Sequence, residues 1–279
     1  MQFPVNLISD SPLVQDTFDF VSARGGRASM AEIVEGVLQL SHAGNDLSKA
    51  VICDLLRNDP RFIVEDSSVS ISMDDDQLRP LDKLDFVVLD VEAVANRPAR
   101  IIELAACRVR GGEVSGEFQT LVNPGVPLSS FIAQLTGLSD DLLSAAPPFE
   151  DVISEWLKFA GDGVLVAHNS DFDIPLLNQE IARVFPGRRM RNSELCTVKL
   201  ARRLVRNSPN HNLDALAFHF GFEIPDRHRA ASDARATVRV LLHLLDELQN
   251  FGVNTLAAAR NFRAPTSAPA THAQLALDI

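Results

Sequence analysis

Asp90 and Glu92 stand two residues apart in the run FVVLDVEAV, residues 86–94, whose first four positions are apolar. Side chains alternate along an extended strand, so the two carboxylates share one side of it, at its C-terminal end. If that end stays in the core, adjacent anions need protons, a cationic partner or a metal ion; if the strand simply stops there, water screens them. Two further acids have equally marked surroundings. Asp173 opens a helical pattern directly after the apolar run GVLVAHN, and Asp233 follows His228 by five residues in HRAASD. Five positions on one continuous helix separate side chains by about 140°, which places His228 in the loop or frayed first turn ahead of Asp233. A histidine beside a carboxylate cluster is a candidate proton acceptor.

The elements that must position these groups read as an α/β domain with a mixed sheet. Three strand-like runs come first: DFVVLDVEAV, RIIELAACRVR and EVSGEFQTLVNP, with Gly111-Gly112 as the turn between the last two. Helical patterns follow around SDDLLSAA and FEDVISEWLKFAG, then the strand GVLVAHN and the helix DFDIPLLNQEIARVF. Two helical segments, around LARRLV and NLDALAFHFG, lead to a long amphipathic helix in HRAASDARATVRVLLHLLDELQ.

Upstream, residues 12–76 read as helix, helix, helix, hairpin. Ser29 and Glu32 have capping-box spacing, Asp46 suits the cap of DLSKAVICDLLRND, and RFIVEDSSVSISM alternates around an Asp66-Ser67-Ser68 turn. This order resembles a winged helix-turn-helix. Its candidate recognition helix offers Lys49 and Arg57 against Asp46, Asp54 and Asp59, so a protein-contact or architectural role is weighed beside DNA binding. The expected layout is a winged-helix-like module at 1–76, a linker at 77–83, the α/β domain at 84–250 and a flexible tail at 251–279.

D-x-E after a buried strand, then H-N-x-x-F-D as His168, Asn169, Phe172 and Asp173, then H-x-x-x-x-D as His228 and Asp233, resembles the DEDD superfamily of 3′-5′ exonucleases in its histidine branch. The sister branch uses tyrosine at the histidine position, and this chain contains no tyrosine. The resemblance spans about residues 84–248 and implies a ribonuclease H-like mixed sheet flanked by helices. It also implies two-metal-ion hydrolysis of a phosphodiester by two Mg²⁺ or Mn²⁺ ions roughly 4 Å apart. On that resemblance Asp90 bridges the ions, Glu92 and Asp233 hold the one that activates water, Asp173 supports the second, and His228 takes the proton. Ala93, Asn169 and Phe172 become candidates for contact with the terminal nucleotide, with core packing as the alternative for Phe172. His168 and His211 read as hydrogen-bonded structural histidines. Many members have Thr-Thr-Gly after the glutamate where this chain has Ala93-Val94-Ala95, a departure that touches substrate preference and no metal ligand.

The implied substrate is a single-stranded or frayed 3′ end of DNA, in replication proofreading or repair, with RNA trimming as the alternative because only 2′-OH contacts separate the sugars. A non-catalytic DNA-metabolism adaptor is the alternative of another class. The net charge of −11 argues against coating nucleic acid by bulk electrostatics. One basic stretch, Arg183 to Arg206, holds eight basic residues and the single acid Glu194, and is a candidate lining for the strand's path. Three widely spaced cysteines suggest neither disulfides nor zinc, and no stretch approaches the roughly 18 apolar residues of a membrane span, so a cytoplasmic protein with no membrane partner is expected. The chain ends in QLALDI after the Ala-, Pro- and Thr-rich APTSAPATHA. This resembles the peptides by which bacterial DNA polymerases and repair proteins dock on the sliding clamp, with Gln274 as hydrogen-bonding anchor and Leu275, Leu277 and Ile279 as groove-filling residues. A sliding clamp and a DNA polymerase are therefore the expected protein partners.

Overall fold

A computed structural model describes residues 6–41, 44–57, 59–72, 76–94 and 98–263. The N-terminal part runs β1 (Leu7–Ser9), α1 (Pro12–Ser22), β2 (Arg27–Ser29), α2 (Met30–Gly36), α3 (Asn45–Leu55), β3 (Phe62–Val64) and β4 (Ser68–Ile71). A short strand, β2, thus joins the expected helices and hairpin, and β2, β4 and β3 form an antiparallel sheet in that order. The capping box forms: Glu32 N donates to Ser29 Oγ at 3.2 Å and Ser29 N to Glu32 Oε2 at 2.7 Å. The expected cap of the next helix is corrected. Gly44 is the N-cap of α3, and Asp46 lies in its first turn, where the helix dipole still favours an acid.

The second part begins with β5 (Phe86–Val94), β6 (Arg100–Arg110) and β7 (Glu113–Leu121). The hairpin between β6 and β7 turns through Gly111 and Gly112, both at positive φ as a two-residue type I′ turn requires. There follow α4 (Ser130–Thr136), α5 (Asp140–Ser144), α6 (Phe149–Ala160), β8 (Val164–Ala167), α7 (Ser170–Val184), β9 (Arg188–Met190), β10 (Glu194–Cys196), α8 (Thr197–Leu204), α9 (Leu213–His219), α10 (Ala230–Asn250) and α11 (Leu256–Asn261). The main sheet has the order β10-β8-β5-β6-β7. Pairing is parallel between β10, β8 and β5 and antiparallel between β5, β6 and β7.

Alternation along β5 sorts its residues between two cores. Phe86 and Val88 pack with α10 residues such as Leu241 and Leu244, whereas Val87, Leu89 and Val91 pack with Trp156 of α6 and Leu177 of α7. Asp90 and Glu92 continue the α10 side of this alternation.

The two parts are joined more closely than a linker would join them. β1 pairs antiparallel with β9, Leu7 is fully buried in the core beside Trp156, and Asn6 Nδ2 donates to Leu157 O at 2.9 Å. The stretch 77–83 lies against the second part: Leu81 is buried, and its N–H donates to Asn254 O at 2.8 Å. The stretch 251–279, expected as a tail, contains α11, whose Leu256 and Ala259 are core residues. Small helix-forming residues with two apolar anchors were enough to continue the fold. Gln274, Leu275, Leu277 and Ile279 lie outside the described residues.

Truncating Leu7 removes buried volume from the core around the chain's single tryptophan. Leu7→Ala is expected to destabilise the protein by about 2–5 kcal/mol. Urea unfolding followed by Trp156 fluorescence measures this, and an unshifted midpoint would contradict the docking of β1.

Candidate active site

Asp90 and Glu92 emerge where β5 stops being regular. The β5–β6 register shifts between Glu92 and Ala93, a bulge that ends the even alternation just past the second acid. Asp173 lies in the first turn of α7, and its Oδ1 accepts from Val91 N at 3.2 Å, so α7 is tied to the backbone between the two β5 acids. Asp233 lies in the first turn of α10. Its Oδ2 accepts from His228 N at 3.3 Å and from the Arg227 guanidinium. His228 is outside the helix, in left-handed backbone at φ 62, and the ligand-type atoms of Glu92, His228 and Asp233 all lie within 4.8 Å of one another.

Burial and mutual repulsion push these acids up. Asp90 is held well above the usual carboxylate range, first by desolvation and then by the charges of Asp173, Asp233 and Glu92. Glu92 is pushed up to about 8 by burial, Asp233 and Glu103. Asp173 rises to about 7 through burial, against the hydrogen bond from Val91. Burial also raises Asp233, against Arg227. Such a cluster is stable with protons or with added positive charge. Asp233 Oδ1 is buried without a hydrogen-bond partner, and the ligand-type atoms grouped with Asp233 are a Glu92 carboxylate oxygen and a His228 ring nitrogen. The carboxylates of that set fit a hard divalent cation.

The other expected contacts fall around this cluster. Ala93 follows the bulge half-buried, Asn169 is the exposed left-handed N-cap of α7, and Phe172 is 51% exposed, which sets aside core packing for it. His168 Nδ1 is 2.9 Å from Thr197 Oγ1, burial lowers its pKa to about 4, and His211 Nε2 is 2.9 Å from Val205 O. Half of the basic stretch meets acids: Arg183 pairs with Glu180, Arg189 with Asp10, Arg191 with Asp162 and Lys199 with Asp171. As a lining for a polyanion it is weaker than its count suggests.

Three contributors escaped the sequence reading. Arg227 reaches both Asp214, at 2.8 Å, and Asp233, setting a guanidinium against the acids. Glu103, fully buried, stands opposite Glu92 in the β5–β6 register and binds Arg229. The cue was available: Glu103 is an acid inside RIIELAACRVR, the same kind of breach that marked Asp90.

Residues 87–241 match the family described as exonuclease, RNase_T. The DNA polymerase III subunit epsilon of Aquifex aeolicus is 38% identical over 165 residues, covering 58% of this chain and 81% of the relative. The PolC-type DNA polymerase III of Bacillus subtilis is 38% identical over 177 residues, 63% of this chain; the chain spans only 12% of that relative's length. Among solved structures, the nuclease domain of 3′hExo, a DEDDh family member bound to rAMP, superposes with a TM-score of 0.52 at 19% identity, covering 61% of this chain and 95% of that one. The likeness is one of fold.

The raised pKa values fix a sign for stability without divalent ions. A carboxyl that keeps its proton only when folded stabilises the fold below its ordinary pKa, and that contribution is lost as pH rises from there to the folded value. For Glu92 the window runs from 4.5 to about 8, and for Asp173 from 3.8 to about 7. In chelator, the melting temperature of the wild type is therefore expected to fall across this window more steeply than that of Glu92→Gln, and divalent ions should flatten the slope. Equal slopes in the two proteins would contradict the clustered site.

Proposed function

The chain belongs to the exonuclease family that matches residues 87–241, and we propose that it is a metal-dependent 3′-5′ exonuclease that releases nucleoside monophosphates from DNA 3′ ends. One observation carries this reading: Asp90, Glu92, Asp173 and Asp233, from β5, α7 and α10, converge beside His228. DNA as substrate rests on the relatives, which are polymerase III epsilon and PolC-type proteins, and the same likeness supports a role in proofreading or repair beside a DNA polymerase.

Asp90, Glu92, Asp173 and Asp233 would hold two divalent ions, Mg²⁺ or Mn²⁺, which when bound supply charge neutralisation at the scissile phosphate and make water a better nucleophile. The protein's own groups do the rest. His228, outside α10 and free of its ladder, accepts the water's proton on its ring. A neutral imidazole has a free ring nitrogen to take the proton, whereas the carboxylates would be engaged by the cations. Phe172, exposed one residue before Asp173, would offer a face on which the terminal base can stack, with Asn169 and Ala93 as the further candidates for contact with that nucleotide.

The order α1, β2, α2, α3, β3, β4 supports a winged-helix-like module. The cations of its α3 region are engaged, Lys49 with Asp66 at 2.8 Å and Arg57 with Asp54 at 3.5 Å, so an architectural or protein-contact role suits it better than groove binding. QLALDI is proposed as a sliding-clamp peptide that raises the local concentration of the nuclease at clamp-loaded DNA.

With 5′-labelled single-stranded DNA and Mg²⁺ or Mn²⁺, the wild type should shorten the strand from its 3′ end and stop in EDTA. Asp90→Ala should abolish cleavage, and His228→Ala should lower it by about 10²–10⁴-fold with the fold intact. Wild-type rates in either variant would overturn the assignment, and a parallel RNA strand reads the sugar preference. For the tail, truncation before Gln274 should remove the calorimetric signal for a bacterial sliding clamp; unchanged affinity would end that proposal.

A further inference from the structure

His228 sits in a loop segment held by its own N–H, which donates to Asp233 Oδ2 at 3.3 Å, and by its two neighbours. At φ 62 it occupies the left-handed region, uncommon for a residue with a side chain, and it precedes α10 without belonging to it. The residues on either side are arginines, and each is anchored. Arg227 Nε donates to Asp214 Oδ1 at 2.8 Å, and another of its nitrogens donates to Asp233. Arg229 reaches the other way, into the sheet.

Its target is Glu103, which has no exposed surface. Arg229 Nε donates to Glu103 Oε2 at 3.0 Å and Arg229 Nη2 to Oε1 at 3.1 Å, a two-pronged charge-assisted pair. Ala230 N donates to Oε2 at 3.2 Å and Gln119 Nε2 to Oε1 at 3.0 Å. Both oxygens therefore accept two bonds, and the carboxylate's capacity is spent on the loop and β7. Ala230 is the first residue of α10, and Arg229, its N-cap, makes no side-chain cap bond of its own. Glu103 thus caps α10 from a neighbouring strand, β6, in whose pairing with β5 Glu92 is its direct partner.

We propose that Glu103 and Arg229 are positioning residues that set where the His228 ring stands relative to Glu92 and Asp233. The proposal rests on the exonuclease reading and adds residues outside the carboxylate set. Only the glutamate of this pair is buried, the Arg229 side chain being 37% exposed, and such a pair contributes little net stability, whereas its fixed fork geometry restricts orientation. Here the restriction falls on the residue adjoining His228 and on the start of the helix that carries Asp233.

The test is a double-mutant cycle in steady-state cleavage of 5′-labelled single-stranded DNA, with full-length wild type, Arg229→Ala, His228→Ala and the double variant. Arg229→Ala should lower kcat by about 10–100-fold with little change in KM, the cost of a misplaced group. Arg229→Lys should recover part of the loss. In the His228→Ala background, removing Arg229 should cost nothing more, because the histidine it positions is gone. An Arg229→Ala protein at the wild-type rate would overturn the proposal, as would an equal fold-loss in both backgrounds, the mark of a structural role independent of His228. Glu103→Gln, nearly isosteric, should reproduce the Arg229→Ala pattern and serves if that variant unfolds at assay temperature. A wild type that cleaves nothing would overturn the exonuclease reading and this inference with it.

Discussion

Four carboxylates gathered at the end of one buried strand repel one another, and the architecture of the second domain answers that repulsion from several directions. Helices α7 and α10 both begin at the site, so Asp173 and Asp233 lie in first turns, where the helix dipole favours negative charge. Val91 N donates to Asp173, and His228 N and Arg227 donate to Asp233. These donors offset part of the burial cost. They do not remove it, since all four acids remain raised, Asp90 first by its burial and then by the charges of the other three. The residual deficit is what gives the site its demand for cations.

The same requirement explains why the sheet is built as it is. Two acids on one strand can face a third on α10 only if β5 is central and its even-numbered residues point at that helix, which the packing of Phe86 and Val88 establishes. Asp173 comes from the opposite face and reaches the cluster over the strand end, where the bulge after Glu92 interrupts the ladder. A longer regular strand would have buried the acids beneath further pairing. A shorter one would have exposed them to water and weakened the coupling between their charges.

Much of this was legible in the sequence, and what was not has physical reasons. FVVLDVEAV announced its strand and its breach together, because acids in an apolar alternation are costly and therefore conspicuous. His228 was placed outside the helix by the arithmetic of 3.6 residues per turn. The ion pairs of the basic stretch were not legible, because a count of charges cannot see which acids lie opposite in space: Asp10 and Asp162 are remote in sequence from the arginines they meet. The pairing of β1 with β9 is equally non-local, three residues against three across most of the chain. Glu103 was passed over because a single acid in a strand has no periodic companion to mark it.

The departure at Ala93-Val94-Ala95 takes on a different meaning in the fold. Ala95 lies outside the described residues, but Val94 is a core residue, 2% exposed, packed with Ile102 of β6 and with Ile132, Leu138 and Leu143 around α4 and α5. Valine here is committed to holding the α4–α5 segment against the strand end. The bulge separates this duty from that of Glu92 along the backbone, leaving Glu92 on the metal-demanding side and Val94 in the core two residues later.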